Sequence, residues 1–265
     1  LTSSIGCPTH HHAFPEVLPA ELVSPELQFT AEKLLSEGYV IIDNCFSSEQ
    51  IARFVEEAAR MDEAGKYDVA DNYQTTSGQR GDRVVWVDNF STTKHWPAIS
   101  RSVTLLKAVA HALNPALSRY HAQRSACGDR MHAAAPVPPA SWESVLTAPA
   151  KAMLATYPGE GAQYIPHQDN YYQPPKSARA NPREVTAILY ANPPDWDLAR
   201  DGGGLRLYLQ SRGLTSCPSY SECETHIVEP IGGRLVIFFS DLWHEVRPAE
   251  RARRALTLWI FRPTE

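Results

Sequence analysis

The sequence predicts an α+β protein in which helices pack on one face of a β-sandwich or jelly roll. Helical periodicity is concentrated in the first half of the chain, whereas the segments from Lys151 onward are short, β-rich and separated by Gly and Pro. Helical segments followed by strand segments are typical of layered α+β domains and not of alternating βαβ units.

Three amphipathic helices are expected in the first half of the chain. The first begins at Pro25, because proline is tolerated in the first turn of a helix, and Gly38 ends it. Ser47 or Ser48 caps the second helix, which Gly65 ends. The expected bounds of the three helices are roughly 25–38, 47–65 and 97–113.

Short apolar or β-rich runs that are bounded by turn residues are predicted to be strands. Two of these runs interrupt the helical half, and the others follow Lys151. The predicted strands are Tyr39–Ile42, Arg83–Val87, Ala152–Tyr157, Glu184–Tyr190, Leu205–Leu209, His226–Val228, Leu235–Phe239 and Ala255–Phe261.

One large domain is expected over residues 25–265, preceded by an irregular N-terminal arm of residues 1–24. The arm is rich in proline and contains three adjacent histidines. A segment at about 121–149 breaks the helical periodicity and is also rich in proline, so we expect an inserted surface loop there.

Charge and composition argue against several classes of function. The 265 residues include 25 basic and 30 acidic side chains, a net charge of −5, which argues against a basic face that binds nucleic acid. No apolar run approaches the length of about 18 residues that a membrane span requires. Five cysteines without a C-x-x-C pair favour a reducing compartment, the cytoplasm or nucleus, although a surface disulfide between Cys217 and Cys223 stays open. We expect a monomer.

A His-x-Asp motif and a distant histidine form the candidate metal site. His167 and Asp169 are two residues apart, so in extended backbone their side chains point to the same side. His244 lies beyond a predicted apolar strand, and a sheet that folds back can bring it to the same point. Two imidazoles and one carboxylate are the ligand set of non-haem Fe(II) oxygenases, with open positions for a 2-oxo acid and O2. By itself, however, a His-x-Asp pair is more often a hydrogen-bonded polar pair in a loop.

An arginine near the end of the chain strengthens the metal hypothesis. Arg253 stands at the head of the last predicted strand, where its planar guanidinium can bind a carboxylate through two hydrogen bonds. Arg254 would point to the opposite face of the same strand. Because Arg247 and Arg251 lie in the same hairpin, a solvated charge is the alternative interpretation of Arg253.

Seven segments of the sequence carry a family resemblance: Tyr157–Gly159, His167–Asn170, Glu184–Tyr190, Asp195–Asp197, Gly203–Arg206, His244–Val246 and Arg253–Phe261. Together they resemble the prolyl 4-hydroxylases that modify hypoxia-inducible factor and their microbial relatives. A weaker similarity, Arg80–Trp86 (the finger segment), resembles the mobile finger loop near the substrate in that family. Animal collagen hydroxylases usually have Lys where Arg253 stands, so the chain is more similar to the oxygen-sensing group.

The resemblance implies a double-stranded β-helix that binds Fe(II), 2-oxoglutarate and O2, with ascorbate as an activator. It implies that Arg253 binds the distal carboxylate of 2-oxoglutarate and that Tyr190 adds a hydroxyl donor to that carboxylate. Tyr157 would lie near the other end of the cosubstrate. For each tyrosine, a core aromatic with a satisfied hydroxyl is the alternative. The implied iron ligands are His167, Asp169 and His244.

The implied activity is hydroxylation of a prolyl residue in a protein or peptide, which yields 4-hydroxyproline, succinate and CO2. Beside the entering peptide, we expect an ion pair between Asp82 and Arg183 that holds the finger segment, with Trp86 near the substrate's path. An oxygenase that acts on another residue type or on a small molecule is the nearest alternative. A non-catalytic β-helix binding module and a zinc hydrolase are more distant ones, and a zinc hydrolase leaves Arg253 and Tyr190 without a role.

Overall fold

A computed structural model describes residues 33–70, 80–127, 146–170, 172–173, 178–179, 181–209 and 220–262 of the chain. The predicted N-terminal arm, most of the first predicted helix and Cys217 lie outside these residues. Residues 33–37 are helical, and Gly38 ends that helix as expected, with a φ of 88° that favours glycine.

Two long helices form one layer of the fold. Helix α1 spans Ser48–Glu63, and Ser47 caps it as predicted. The Ser47 hydroxyl accepts from the backbone N–H of Gln50, and the Gln50 side chain accepts from the backbone N–H of Ser47. Helix α2 spans Pro97–Cys127, and the short helix α3 spans Leu198–Asp201. No helix in the described ranges is long and apolar enough to cross a membrane.

Antiparallel strands form the other layers, and the predicted strands are all present with ends shifted by at most two residues. The strands are β1 Tyr39–Ile42, β2 Asp68–Val69, β3 Arg83–Asp88, β4 Lys151–Tyr157, β5 Ala162–His167, β6 Tyr172–Gln173, β7 Ala178–Arg179, β8 Arg183–Tyr190, β9 Leu205–Leu209, β10 Glu224–Val228, β11 Leu235–Phe239, β12 His244–Ala249 and β13 Arg253–Phe261. The larger sheet has the order β1-β11-β8-β13-β4-β3-β2, and the smaller sheet has the order β10-β9-β12-β5. Strands β6 and β7 pair separately.

The two sheets face each other across an apolar interior, and the helices cover the other face of the larger sheet. Strand β8 shows the consequence for its sequence. Its residues Val185, Ala187 and Leu189 belong to the core shared with the helices, whereas Ile188 and Tyr190 face the smaller sheet. Because both faces are buried, the strand is a nearly continuous apolar run. This arrangement confirms the predicted jelly roll with helices packed on one face.

Helix α2 is longer than the sequence predicts. We expected it to end near Leu113, but it continues to Cys127. Pro115 removes one backbone donor, and the sequence beyond it contains several alanines, which have the highest helix propensity. Residues 121–127 therefore belong to this helix and not to an inserted loop.

The other end of the predicted loop is also attached to the fold. Leu146 is buried in the core that the helices share with the larger sheet. Thr147 forms an antiparallel bridge with Phe261, the last residue of β13. The part of the predicted loop between these ends, residues 128–145, lies outside the described residues.

Two strands of the smaller sheet, β5 and β12, were not predicted. Each contains a proline, Pro166 or Pro248, and proline lowers the expectation of a strand because it cannot donate to the ladder. The pairing of β12 with β5 shifts register between His244 and Val246 and again between Val246 and Ala249. Such irregularities accommodate a proline inside a sheet. The missed strands matter because both carry residues of the candidate site.

Candidate metal centre and carboxylate pocket

The two predicted histidine ligands lie opposite each other in the smaller sheet. His167 is the last residue of β5, His244 is the first residue of β12, and the two are paired across the antiparallel ladder. The centroids of their rings are 4.2 Å apart. Asp169 follows β5 by two residues, so the turn after that strand returns its carboxylate to the same point. One strand pair therefore assembles all three side chains.

The three side chains converge closely enough to hold one metal ion. The donor atoms of His167, Asp169 and His244 lie within 4.8 Å of one another, and His244 Nε2 is 3.6 Å from Asp169 Oδ2. Among the residues that the structure describes, no other group of His, Cys, Asp or Glu converges in this way. Two imidazoles and one carboxylate suit Fe(II) with several coordination positions left open.

Both imidazoles are oriented by the same kind of backbone contact. His167 Nδ1 is 2.8 Å from the carbonyl oxygen of Ile165, and His244 Nδ1 is 2.8 Å from that of Leu242. Each Nδ1–H therefore donates to the carbonyl two residues earlier, which leaves the Nε2 lone pair for a cation. Burial and the neighbouring His244 lower the pKa of His167 to about 3, so this imidazole is neutral near physiological pH.

The carboxylate of Asp169 is held ionised and in a defined orientation. Burial alone would raise its pKa, but His244, His167 and Arg183 outweigh that effect, and the pKa of Asp169 lies below its ordinary value. Thr186 Oγ1 on β8 donates a hydrogen bond of 2.8 Å to Asp169 Oδ2. The larger sheet thereby orients a ligand that the smaller sheet supplies. Thr186 is a polar residue inside the apolar run of β8, which is the sequence signal that could have revealed its role.

Thr186→Val is expected to weaken metal binding about tenfold, because residues that orient a ligand typically contribute about 10–100-fold to metal affinity. The substitution keeps the side-chain shape and removes the hydroxyl that fixes Asp169. Calorimetric titration with Mn(II) measures the effect. Thr156→Val is the matched control, since Thr156 is also buried, on β4, but lies near Tyr67 on the helical side. Equal affinities in the two variants would show that this hydrogen bond does not matter for metal binding.

The predicted carboxylate-binding arginine is buried between two tyrosines. Arg253, at the head of β13, is 1% exposed. Its guanidinium carbon lies 5.1 Å from the ring centroid of Tyr157 on β4 and 5.0 Å from that of Tyr190 on β8. Its Nε donates to the carbonyl oxygen of Gly203 at 2.8 Å. Within the described part of the chain, no carboxylate forms an ion pair with this arginine.

The Tyr190 hydroxyl beside Arg253 is buried and has no hydrogen-bond acceptor among the described residues. Burial raises the pKa of Tyr190, although Arg253 opposes the shift, so the hydroxyl stays protonated and able to donate. A buried cation and a buried hydroxyl are costly unless an acceptor satisfies them. A ligand carboxylate would satisfy both, so these residues fit one end of a 2-oxo dicarboxylate.

The carboxylate pocket and the metal site share one interior. The ring of Phe238 lies 4.8 Å from that of His244, and Phe238 belongs to the same apolar cluster as Tyr190. Residues 152–261, which include the whole triad, Arg253 and both tyrosines, match the family model of the 2OG-Fe(II) oxygenase superfamily. Over these residues, the chain is similar to this superfamily.

The chain is also similar to individual prolyl hydroxylases. It is 27% identical over 253 residues to the hypoxia-inducible factor prolyl hydroxylase of Caenorhabditis elegans, which covers 90% of the chain and 29% of that relative. The chain therefore spans less than a third of that relative's length. A Pseudomonas putida prolyl-4-hydroxylase shares the fold, with a TM-score of 0.63, 24% identity and coverage of 90% of the chain and 100% of that structure. A prolyl hydroxylase in complex with a hypoxia-inducible factor peptide fragment from Trichoplax adhaerens has a TM-score of 0.60 and 26% identity over 89% of each chain.

The predicted ion pair between Asp82 and Arg183 is wrong. Asp82 instead accepts two hydrogen bonds from Arg80, from Nε at 2.5 Å and from Nη2 at 2.8 Å. The guanidinium carbon of Arg183 lies 3.9 Å from the ring centroid of Trp259, and its Nη1 is 3.9 Å from Asp169 Oδ1. Residues two apart in extended backbone share a side, so Asp82 pairs with its local neighbour Arg80.

Arg80 connects the finger segment to the metal site through an aromatic ring that was not predicted. Its guanidinium carbon lies 4.7 Å from the ring centroid of Tyr164. The ring of Tyr164 stacks on that of His167, with centroids 3.7 Å apart and planes at 19°. No pattern in the sequence distinguishes Tyr164 from an ordinary core aromatic.

Trp86 lies beside Trp259, and its place near the substrate's path stays a prediction. It is 50% exposed, and its ring centroid is 5.9 Å from that of Trp259. Trp259 was not predicted as a site residue. It could have been found, because it is six residues after Arg253 and therefore on the same face of β13.

Asp82→Ala is expected to lower the free energy of unfolding by about 3–5 kcal/mol, because it leaves the buried Arg80 cation without its counter-ion. The side chains of Arg80 and Asp82 are 9% and 0% exposed. Glu49→Ala is the control, since the Glu49–Arg53 pair is largely exposed and worth at most about 1 kcal/mol. Chemical denaturation of both variants measures the difference, and equal losses would contradict the expectation.

Proposed function

We propose that the chain is a prolyl hydroxylase that converts a prolyl residue of a protein or peptide to 4-hydroxyproline. The observation that carries the proposal is the combination of a His-Asp-His triad with a buried Arg253 that has no counter-ion among the residues the structure describes. A single 2-oxo dicarboxylate bound to Fe(II) would satisfy both features. The Caenorhabditis elegans relative and the Trichoplax adhaerens structure, each similar over about nine-tenths of the chain, are prolyl hydroxylases, which supports proline as the target.

Each site residue then has a defined task. The triad would hold Fe(II) through His167, Asp169 and His244, and Arg253 with Tyr190 would hold the distal carboxylate of 2-oxoglutarate. Bound Fe(II) and 2-oxoglutarate supply the oxidising chemistry with O2, which hydroxylates the substrate and releases succinate and CO2. The chain itself orients these groups and excludes water from the buried interior.

The aromatic face next to the triad supports a polypeptide substrate. Trp86 contacts Trp259, and Arg183 covers Trp259 and approaches Asp169. These contacts connect the half-exposed Trp86 to Asp169, one of the candidate metal ligands. A half-exposed aromatic ring and a partly exposed cation next to the metal ligands suit an extended peptide, whereas an enclosed pocket suits a small metabolite. We therefore assign Trp86 and Arg183 to substrate binding, and Asp82 to holding the finger segment through Arg80.

The proposal is tested by incubating the protein with Fe(II), 2-oxoglutarate, ascorbate and a library of proline-containing peptides. Mass spectrometry should detect the gain of one oxygen atom, and fragmentation should locate it on a prolyl residue. Succinate should form in equal amount, and amino-acid analysis should identify 4-hydroxyproline. Peptides with Ala in place of the target proline, and the His244→Ala protein, should give no product.

One outcome separates the proposal from its nearest alternative. If succinate forms only with a small metabolite and no peptide gains oxygen, the cofactor assignment survives and the prolyl substrate is wrong. If oxygen appears on a residue other than proline, the chain modifies peptides with a different specificity.

Location and assembly stay predictions of the sequence. Five cysteines without a C-x-x-C pair favour a reducing compartment, the cytoplasm or nucleus. The acidic balance of charges favours a monomer that acts on a protein or peptide and binds no nucleic acid. A role in oxygen sensing would follow if turnover varies with O2 over the physiological range.

A further inference from the structure

The backbone of Gly203 holds the Arg253 side chain in place. Gly203 lies just after helix α3 and has a φ of +69°, a conformation that favours glycine. Its N–H donates to the carbonyl oxygen of Pro248 at 2.8 Å, and its own carbonyl oxygen accepts from Arg253 Nε at 2.8 Å. Because Nε is occupied, the two terminal amino groups of the guanidinium remain for a carboxylate.

The space around Gly203 has no room for a side chain. A Cβ atom at this position would lie 2.9 Å from Arg253 Cδ, 3.2 Å from Ala249 Cβ and 3.4 Å from Trp196 Cζ2. The nearest of these atoms belongs to Arg253 itself. A side chain at position 203 would therefore displace the guanidinium before it disturbed the surrounding core.

The turn that carries Gly203 is itself held rigidly. Trp196 Nε1 donates to the carbonyl oxygen of Gly202 at 3.2 Å, and a Cβ at Gly202 would overlap the carbonyl oxygen of Pro248. The carboxylate of Asp201 accepts from the backbone N–H of Asp197 at 2.9 Å. The turn is thus anchored both to β12 and to the start of α3, so the Gly203 carbonyl has a defined position.

We propose that Gly203 is a positioning residue for 2-oxoglutarate: it sets the place and the rotation of the Arg253 guanidinium that receives the distal carboxylate. The inference rests on the proposed function, because it assumes that 2-oxoglutarate is the ligand of Arg253. Displacing a binding group by a fraction of an ångström weakens a paired hydrogen bond steeply, since both bonds lose their alignment together.

The test compares Gly203→Ala with Gly161→Ala. Gly161 has a φ of +79°, and a Cβ there meets nothing within 4 Å, so this control introduces similar backbone strain without a contact to Arg253. Calorimetry on the Mn(II)-loaded proteins measures 2-oxoglutarate affinity. Gly203→Ala should weaken it about tenfold or more, whereas Gly161→Ala should change it less than about twofold. Mn(II) affinity should be unchanged in both variants, and in turnover the KM for 2-oxoglutarate should change more than kcat.

A second variant covers the case in which Gly203→Ala does not fold. Trp196→Phe keeps the glycine but removes the hydrogen bond to the Gly202 carbonyl oxygen. This variant should weaken 2-oxoglutarate binding by a few-fold. Its control is Trp96→Phe, which changes a tryptophan that packs against the helical core. If Gly203→Ala folds and binds 2-oxoglutarate as tightly as the parent protein, the inference about Gly203 is wrong and the proposed function stands. If Gly203→Ala does not fold, unchanged 2-oxoglutarate affinity in Trp196→Phe has the same meaning. A parent protein that binds Mn(II) but no 2-oxoglutarate would overturn the proposed function and the inference together.

Discussion

His244→Ala is expected to lower the affinity for Fe(II) by more than about 100-fold, which exceeds the usual effect of removing a residue that only supports a ligand. It should abolish 2-oxoglutarate turnover at the same time. The physical reason is the small size of the ligand set: His244, His167 and Asp169 are the only convergent metal-binding group among the described residues. Anaerobic titration with Fe(II), or titration with Mn(II) in air, measures the loss.

The control must remove a histidine without touching the site. His111→Ala serves this purpose, because His111 is exposed on helix α2. Asp169→Asn provides a second test of the ligand set, since the amide retains an oxygen that Thr186 can contact but lacks the charge that stabilises a divalent cation. Tight metal binding in His244→Ala, together with normal turnover, would remove the basis for the metal centre.

Arg253→Ala is expected to raise the 2-oxoglutarate concentration needed for half-maximal turnover at least about tenfold, because losing a hydrogen-bonded charged partner costs about 1.5–3 kcal/mol. The effect should appear as a change in KM at unchanged Fe(II) affinity. Arg253→Lys should recover part of the affinity, since an ammonium keeps the charge but cannot form two parallel hydrogen bonds and cannot use an Nε–H toward Gly203.

Arg254→Ala is the matched control for this prediction. Arg254 is the next residue of β13, and its cross-strand neighbour is Thr156, whereas that of Arg253 is Tyr157. Its side chain therefore lies on the helical face of the sheet, away from the metal. Thermal denaturation should accompany the kinetics, because Arg254 is partly buried and its loss affects stability. If Arg254→Ala weakens 2-oxoglutarate binding and Arg253→Ala does not, the assignment of the carboxylate pocket is wrong.

The sequence by itself determined the fold class and predicted which side chains converge at the candidate metal site. The switch from helical to strand periodicity near Lys151 predicts the layered jelly roll, and the i, i+2 spacing of His167 and Asp169 predicts that both face one ion. The same alternation separates Arg253 from Arg254. These inferences succeed because they depend on local geometry, which two or three neighbouring residues specify.

Contacts between distant segments were decided only by the tertiary structure. The predicted partner of Asp82 was Arg183, but Asp82 pairs with Arg80, and Arg183 packs on Trp259. A charge at a given position can be satisfied by any opposite charge that the fold brings near, so spacing along the chain does not select the partner.

The same limit applies to the two strands and the turn that build the site. The prolines in β5 and β12 argue against strands in the sequence, although both segments are strands in the structure. Pairing with neighbouring strands stabilises them, and that pairing exists only in the assembled sheet. In the sequence, Gly203 resembles any glycine in a turn. Only the tertiary structure shows that a Cβ atom at position 203 would lie 2.9 Å from Arg253 Cδ. Local sequence specifies which side chains are able to do the chemistry, whereas close packing of distant segments decides where each of them is held.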